Sequence, residues 1–386
     1  MKEPIILKGI TWDHSRGYCP KVATAQRFSE LHPHIKIEWS KRSLQGFADE
    51  HIDVLAQQYD LLIIDHPWAG YAADTGIIIP FNKYLPEAFI QDQQQQSVGK
   101  SCESYNFGGD LYALPVDTAT PVASSRSDLL EKAGEKVPGT WEDLLKLAKK
   151  GLVTMPGIPI DTLMNFYMFC NVLGEEPFKT DDYIVSNAVG IEALKMMKRL
   201  TDLLNPEFFN WNPIKVYEAL TSRNDYAYCP WAYGYTNYAR DGYASKKLQF
   251  HDIIKNNEGK DFQSTLGGAG LAISASSKHI DAAVSYAEFM ASPETQKRLY
   301  FNNGGQPGHR SAWLDAHTNA LSSQFFQSTL KTHDNAFLRP RYNGYLHFQD
   351  NAGDYVRNYL MSGGDEANVL NHMNALYVES KTKVSS

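Results

Sequence analysis

The residues able to do acid–base or metal chemistry near neutral pH are scattered through this chain. His32 and His34 flank Pro33, and His333 adjoins Asp334, yet neither pair has a third donor at metal-ligand spacing. No GxSxG, HExxH, P-loop or GxGxxG pattern occurs. The string GGAG at 267–270 leads into an apolar strand instead of opening a helix, which argues against a phosphate cradle. Carboxylate pairs exist, but no spacing singles one out. No catalytic residue, metal site or cofactor is assigned. Aromatic residues instead stand beside polar ones in loop-like positions: Trp12, Asp13 and His14; Asp65, His66 and Trp68; and Trp231 and Tyr233 within the stretch 225–240. Such sets suit binding better than reaction.

The elements that position them alternate. Residues 5–12 read as a short apolar strand. Val22, Ala25, Phe28 and Leu31 fall near helical spacing before Pro33. Ile35, Ile37 and Trp39 alternate as a strand with one buried face does, and Leu61 to Ile64 form a continuous run, the mark of a strand covered on both faces. Strand, helix, strand, helix and buried strand predict a mainly parallel α/β sheet. Trp12 and Asp65 then follow strand ends, where such sheets bind ligands. The alternative is that Trp12 and Trp68 cap the sheet and that His14 and His66 are ordinary loop histidines.

A Gly-Gly turn at 108–109 precedes an extended run with Pro115 and Pro121, so a strand there is an edge or a crossing segment. Asp128 and Glu131 have capping-box spacing for a short helix ending at Gly134, and Thr140 N-caps the next helix with Asp143 three residues on. Trp141 reads as a packing residue. Residues 150–265 are helix-rich, with 225–240 as an aromatic loop. Ala283, Val284, Ala287 and Met290 share a helical face, and Ser292 N-caps a helix with Pro293 at its first position.

At 386 residues two domains are the default expectation. The net charge of −7 argues against nucleic acid. No run approaches the roughly 18 apolar residues of a membrane span. The beginning, MKEPIILKGITWD, lacks the features of a signal peptide, which leaves the chain either cytosolic or shown without its export signal. Cys19, Cys102, Cys170 and Cys229 are widely spaced, and free thiols are expected.

Four segments carry a resemblance: 26–39 (QRFSELHPHIKIEW), 109–145 with YALP followed by AG and P-x-TW, 228–234 (YCPWAYG), and 267–299 (GGAGLAISASSK onward) with 304–313 (GGQPGHRSAW). In order and spacing the chain resembles the family 1 extracellular solute-binding proteins of ABC importers, the group that includes maltose-binding protein. It departs from them in lacking an export signal and in having Cys229 before the Pro-Trp pair. The resemblance implies a two-lobed α/β periplasmic-binding-protein fold, with crossings near 115–121, 263–268 and 305–312. Its lobes would be 1–117 plus 267–308 and 118–266 plus 309–386. It implies no enzyme, no cofactor, a carbohydrate ligand, permease subunits as partners, a monomer, and a periplasmic or extracellular location. A sugar-modifying enzyme and a ligand sensor are the alternatives.

On that reading, aromatic planes cover sugar faces while polar groups satisfy hydroxyls, and closure is a hinge motion. The first lobe would offer Trp12, Asp13, His14, Asp65, His66, Trp68 and Asp117, the last either touching ligand or bonding hinge backbone. The second would offer Trp231, Tyr233 and Asn165. Gly268 would let backbone approach the ligand. Arg341, with Tyr342 beside it, would reach the site or lie in solvent.

Overall fold

A computed structural model describes residues 4–43, 46 and 51–382. The chain divides into two compact units. The first holds residues up to Ala119, then Gly267–Ala320 and Arg341–Asn343; the second holds Thr120–Leu266, Leu321–Pro340 and Gly344 onward.

The first unit is built on a five-stranded sheet. Strand β1 (Ile5–Trp12) lies between β2 (Ile35–Arg42) and β3 (Leu61–Ile64) and runs parallel to both. Helix α1 (Ser15–Leu31) links β1 to β2, starting earlier than the apolar spacing suggested because His14 caps it. Helix α2 (Trp68–Thr75) follows β3. Strand β4 (Leu114–Asp117) completes the sheet, but its neighbour arrives from far along the sequence. The order is therefore β2-β1-β3, then the returning strand Ala269–Ile273, then β4. The returning strand is antiparallel to both its neighbours. β3 is buried along its whole length, as a continuous apolar run requires.

Residues 309–320 were expected in the second lobe, but they pack with the first unit. The Trp313 indole donates to the Pro307 carbonyl at 2.7 Å, the His309 ring bonds Asp92 at 3.1 Å, and Arg310 Nε donates to the Ser97 carbonyl at 2.9 Å. The passage expected near 305–312 therefore comes after Ala320.

The second unit has a three-stranded antiparallel sheet. Strand β5 (Pro121–Ser125) is flanked by β6 (Tyr228–Tyr233) and β7 (Gln249–His251). The stretch 225–240, expected as a loop, thus contains a strand. A bulge sets Pro230 and Trp231 against the single residue Ala123, so proline's missing N–H breaks no regular ladder.

Helix α3 (Trp141–Lys149) opens as its sequence indicates: Thr140 Oγ1 accepts from Asp143 N at 3.3 Å. The short helix before it differs. It spans Ser127–Lys132, so Asp128 lies inside it and binds the Arg126 guanidinium instead of capping. Helix α4 (Pro159–Val172) is buried at every residue from Asp161 to Val172. It packs on α6 (Tyr345–Ser362), where Gly353 admits the Pro159 carbonyl. The first unit's returning strand, β8 (Ala269–Ile273), and helix α5 (Ile280–Ala291) precede α6 in the chain.

Candidate ligand-binding site

Sheet direction decides which candidates meet in the first unit. β1, β3 and β4 end on one edge of the sheet, where antiparallel β8 begins. Trp12, His14, Asp65, His66, Asp117 and Gly268 therefore converge there.

The interior of that edge is charged. Arg16 Nε donates to Asp117 Oδ2 at 2.8 Å, and a second guanidinium nitrogen pairs with Asp117 Oδ1. Both side chains are buried. Lys21, fully buried, places Nζ 4.9 Å from the Trp12 ring centre and 4.8 Å from that of Tyr300, and bonds the Tyr300 hydroxyl at 2.5 Å. Burial pulls Lys21 down to about 7 against the opposing pull of Asp117. Gly17 backs onto Trp12, where a Cβ would come within 2.5 Å of the indole.

Several candidates are already engaged. His14 caps α1, with Nδ1 accepting from Arg16 N at 3.0 Å. Burial, aided by the Arg16 charge, lowers its imidazole to about 4, so the ring is neutral at pH 7. Asp13 is exposed and pairs with Lys41 at 2.8 Å. The Asp117 carboxylate is held by the Arg16 side chain instead of by hinge backbone. His66 is buried, its backbone N–H bonded to Asp65 Oδ1 at 2.8 Å. Trp68 opens α2 with its ring edge-on to His51 and Tyr71.

Gly268 and Arg341 differ from expectation more sharply. At φ +100° Gly268 occupies a conformation few other residues adopt, and a Cβ would lie 2.4 Å from the Asp117 carbonyl. Its close approach is to the protein's own backbone. Arg341 donates to the carbonyls of Glu103, at 2.6 Å, and Asn106, and its backbone lies against Gly70 of α2. It fastens a loop and is only partly exposed.

In the second unit Trp231 is 1% exposed. Its indole stacks on Phe262 at 5.8 Å and meets Phe169 edge-on at 5.5 Å. The expectation of a loop-presented side chain gives way to an aromatic cluster on a strand. Tyr233, half-buried, ends β6, and its carbonyl accepts from the Tyr217 hydroxyl at 3.1 Å. Asn165 lies buried on α4, and so does Asp161 one turn earlier. Asp161 was missed, as were Arg16 and Lys21. The signal for Asp161 was its place four residues before Asn165, one turn earlier on a helix rich in apolar residues.

Residues 16–297 match the bacterial extracellular solute-binding protein family. The chain belongs to that family. This solute-binding protein is similar to a probable ABC transporter-binding protein of Deinococcus radiodurans, 23% identical over 311 residues that cover 75% of this chain and 72% of that one. Its fold is similar to that of maltose-bound MalE3 of T. maritima, with a TM-score of 0.83, 18% identity, and coverage of 98% and 99% of the two chains. It is also similar to an ABC transporter solute-binding protein of Agrobacterium radiobacter in complex with ribitol, with a TM-score of 0.82, 19% identity, and coverage of 98% and 99%. The two-lobed α/β fold is that of these solute-binding proteins, and the family is one of non-enzymatic binders serving ABC transporters. No described helix is long and apolar enough to cross a membrane.

Proposed function

We propose that this solute-binding protein captures a carbohydrate (a sugar, an oligosaccharide or a sugar derivative) by hinge closure of its lobes and delivers it as a monomer to ABC permease subunits at the periplasmic or extracellular face. The observation that carries the reading is the convergence of the Trp12 indole with imidazole and carboxylate groups on one edge of the first unit's sheet. Rings cover the C–H faces of a sugar, and polar groups satisfy its hydroxyls. Similar folds that hold maltose and ribitol support the same class. Trp12, Asp65, His66, Trp68 and Asp117 are the proposed first-lobe contributors, with Asn165, Trp231 and Tyr233 from the second. Closure requires that ligand bind the closed state better than the open one.

Thermal-shift screening against mono- and oligosaccharides, polyols and sugar acids tests the ligand class, because a specific ligand raises the melting temperature by mass action. Small-angle scattering tests closure: the radius of gyration should fall at saturating ligand. No stabilisation by any carbohydrate would reject the ligand class, and an unchanged radius would reject closure.

A further inference from the structure

Asp161 and Asn165 stand one turn apart on α4, a spacing that puts both on one helix face. Both are buried, at 5% and 2% exposure. Asp161 Oδ2 and Asn165 Nδ2 have no hydrogen-bond partner among the described residues. Phe169 continues the same face one turn further on and touches Trp231, whose indole N–H also lacks a partner among those residues. From β6, Cys229 comes close enough for Asp161 to bear on its thiol. A row of buried polar groups thus borders an aromatic cluster, entirely within the second unit.

Leaving a buried donor or acceptor unsatisfied costs roughly 1–3 kcal/mol, so native proteins rarely do so without a use for the group. Here an acceptor-capable carboxyl and a donor amide both wait for a partner. Among the described residues burial alone shifts the Asp161 carboxyl, raising it to about 8. At neutral pH it is largely protonated, able to donate one hydrogen bond and accept others.

We propose that Asp161 and Asn165 bind two hydroxyl groups of a neutral sugar or polyol and are the second lobe's specificity residues. This rests on the carbohydrate reading above and narrows it. Among the described residues no cation bears on the Asp161 carboxyl, so nothing at that group favours a carboxylate or phosphate. An ammonium group would require an ionised Asp161 in a buried site.

The test uses maltose, ribitol and D-mannitol as neutral probes, with D-glucuronate, D-glucosamine and glucose-6-phosphate as charged counterparts, each titrated calorimetrically at pH 7. The wild-type chain is expected to bind at least one neutral probe. Binding of charged probes alone would overturn the proposal, and binding of none would overturn the carbohydrate reading with it. Asp161→Leu should weaken the best neutral probe by about tenfold or more, whereas Asp161→Asn, which mimics the protonated acid, should stay within about threefold. Wild-type affinity in Asp161→Leu would reject this proposal and leave the carbohydrate reading standing. An equal loss in Asp161→Asn would assign a cationic ligand group and overturn it. The ligand-free melting temperature of Asp161→Leu should match or exceed that of wild type, because an unsatisfied buried group has been removed. A fall of several degrees would make Asp161 a structural residue and overturn the proposal.

Discussion

Arg16 and Asp117 lie 101 residues apart in the chain and form a two-pronged ion pair inside the first unit. Arg16 opens α1 just beyond β1, and Asp117 ends β4 two residues before the chain passes to the second unit. Removing one member strands a buried charge. Asp117→Ala should therefore cost about 3–5 kcal/mol of stability, while Arg16→Met combined with Asp117→Leu should cost clearly less than the two single changes added together. Urea denaturation of wild type, Arg16→Met, Asp117→Leu and the double variant measures the coupling. Simple additivity would deny that the pair acts as a unit.

Lys21 supplies a pH dependence with a definite sign. Burial holds it at about 7 in the folded protein against an ordinary value of 10.5, with Asp117 raising it and Arg16 lowering it. Below about 7 both folded and unfolded chains carry the proton, and the cost of the buried charge is fully present. Between 7 and 10.5 the unfolded chain binds more proton, so Lys21's contribution makes stability rise with pH, by on the order of a few kcal/mol. Lys21→Met should flatten this rise. An identical slope in wild type and variant, measured by denaturant titration across that window, would contradict it.

Trp231→Ala should cost about 3–5 kcal/mol of ligand-free stability, because it opens a cavity between Phe169 and Phe262. Trp231→Phe should recover most of that. A cost below about 1 kcal/mol for the alanine variant would deny that the indole fills that aromatic cluster.

Gly268→Ala should destabilise the protein by about 2 kcal/mol or more, since positive φ strain adds to a Cβ placed 2.4 Å from the Asp117 carbonyl. Gly242→Ala, also at positive φ but with open space around its Cβ, should cost only the backbone term of roughly 1 kcal/mol. Equal melting temperatures for the two variants would remove the steric part of the explanation.

All four cysteines are free, but only Cys19 is exposed. Burial raises the thiols of Cys102, Cys170 and Cys229. Ellman's reagent should therefore titrate one thiol in the native protein and four after denaturation. Rapid reaction of a second native thiol would show that a buried site opens readily.

Local order was legible in the residues themselves. The alternation of Ile35, Ile37 and Trp39, the run from Leu61 to Ile64 and the Thr140–Asp143 cap each announce an element, because strand pleat, helix period and capping act over a few residues. The motif order was enough to indicate the family. Partnership was not legible. Arg16 meets Asp117 only because β8 returns between β3 and β4 and fixes which strand ends share an edge. Pro230 and Trp231 read locally as a loop, and became a bulged strand because β5 offered them an edge while Phe169 and Phe262 enclosed the indole. Arg341 read as a group for the ligand site or for solvent until backbone carbonyls of Glu103 and Asn106 came within its reach. Periodicity determines how a segment curls and which face is apolar. Which distant group satisfies a buried charge or an open backbone edge is decided only when the chain has packed.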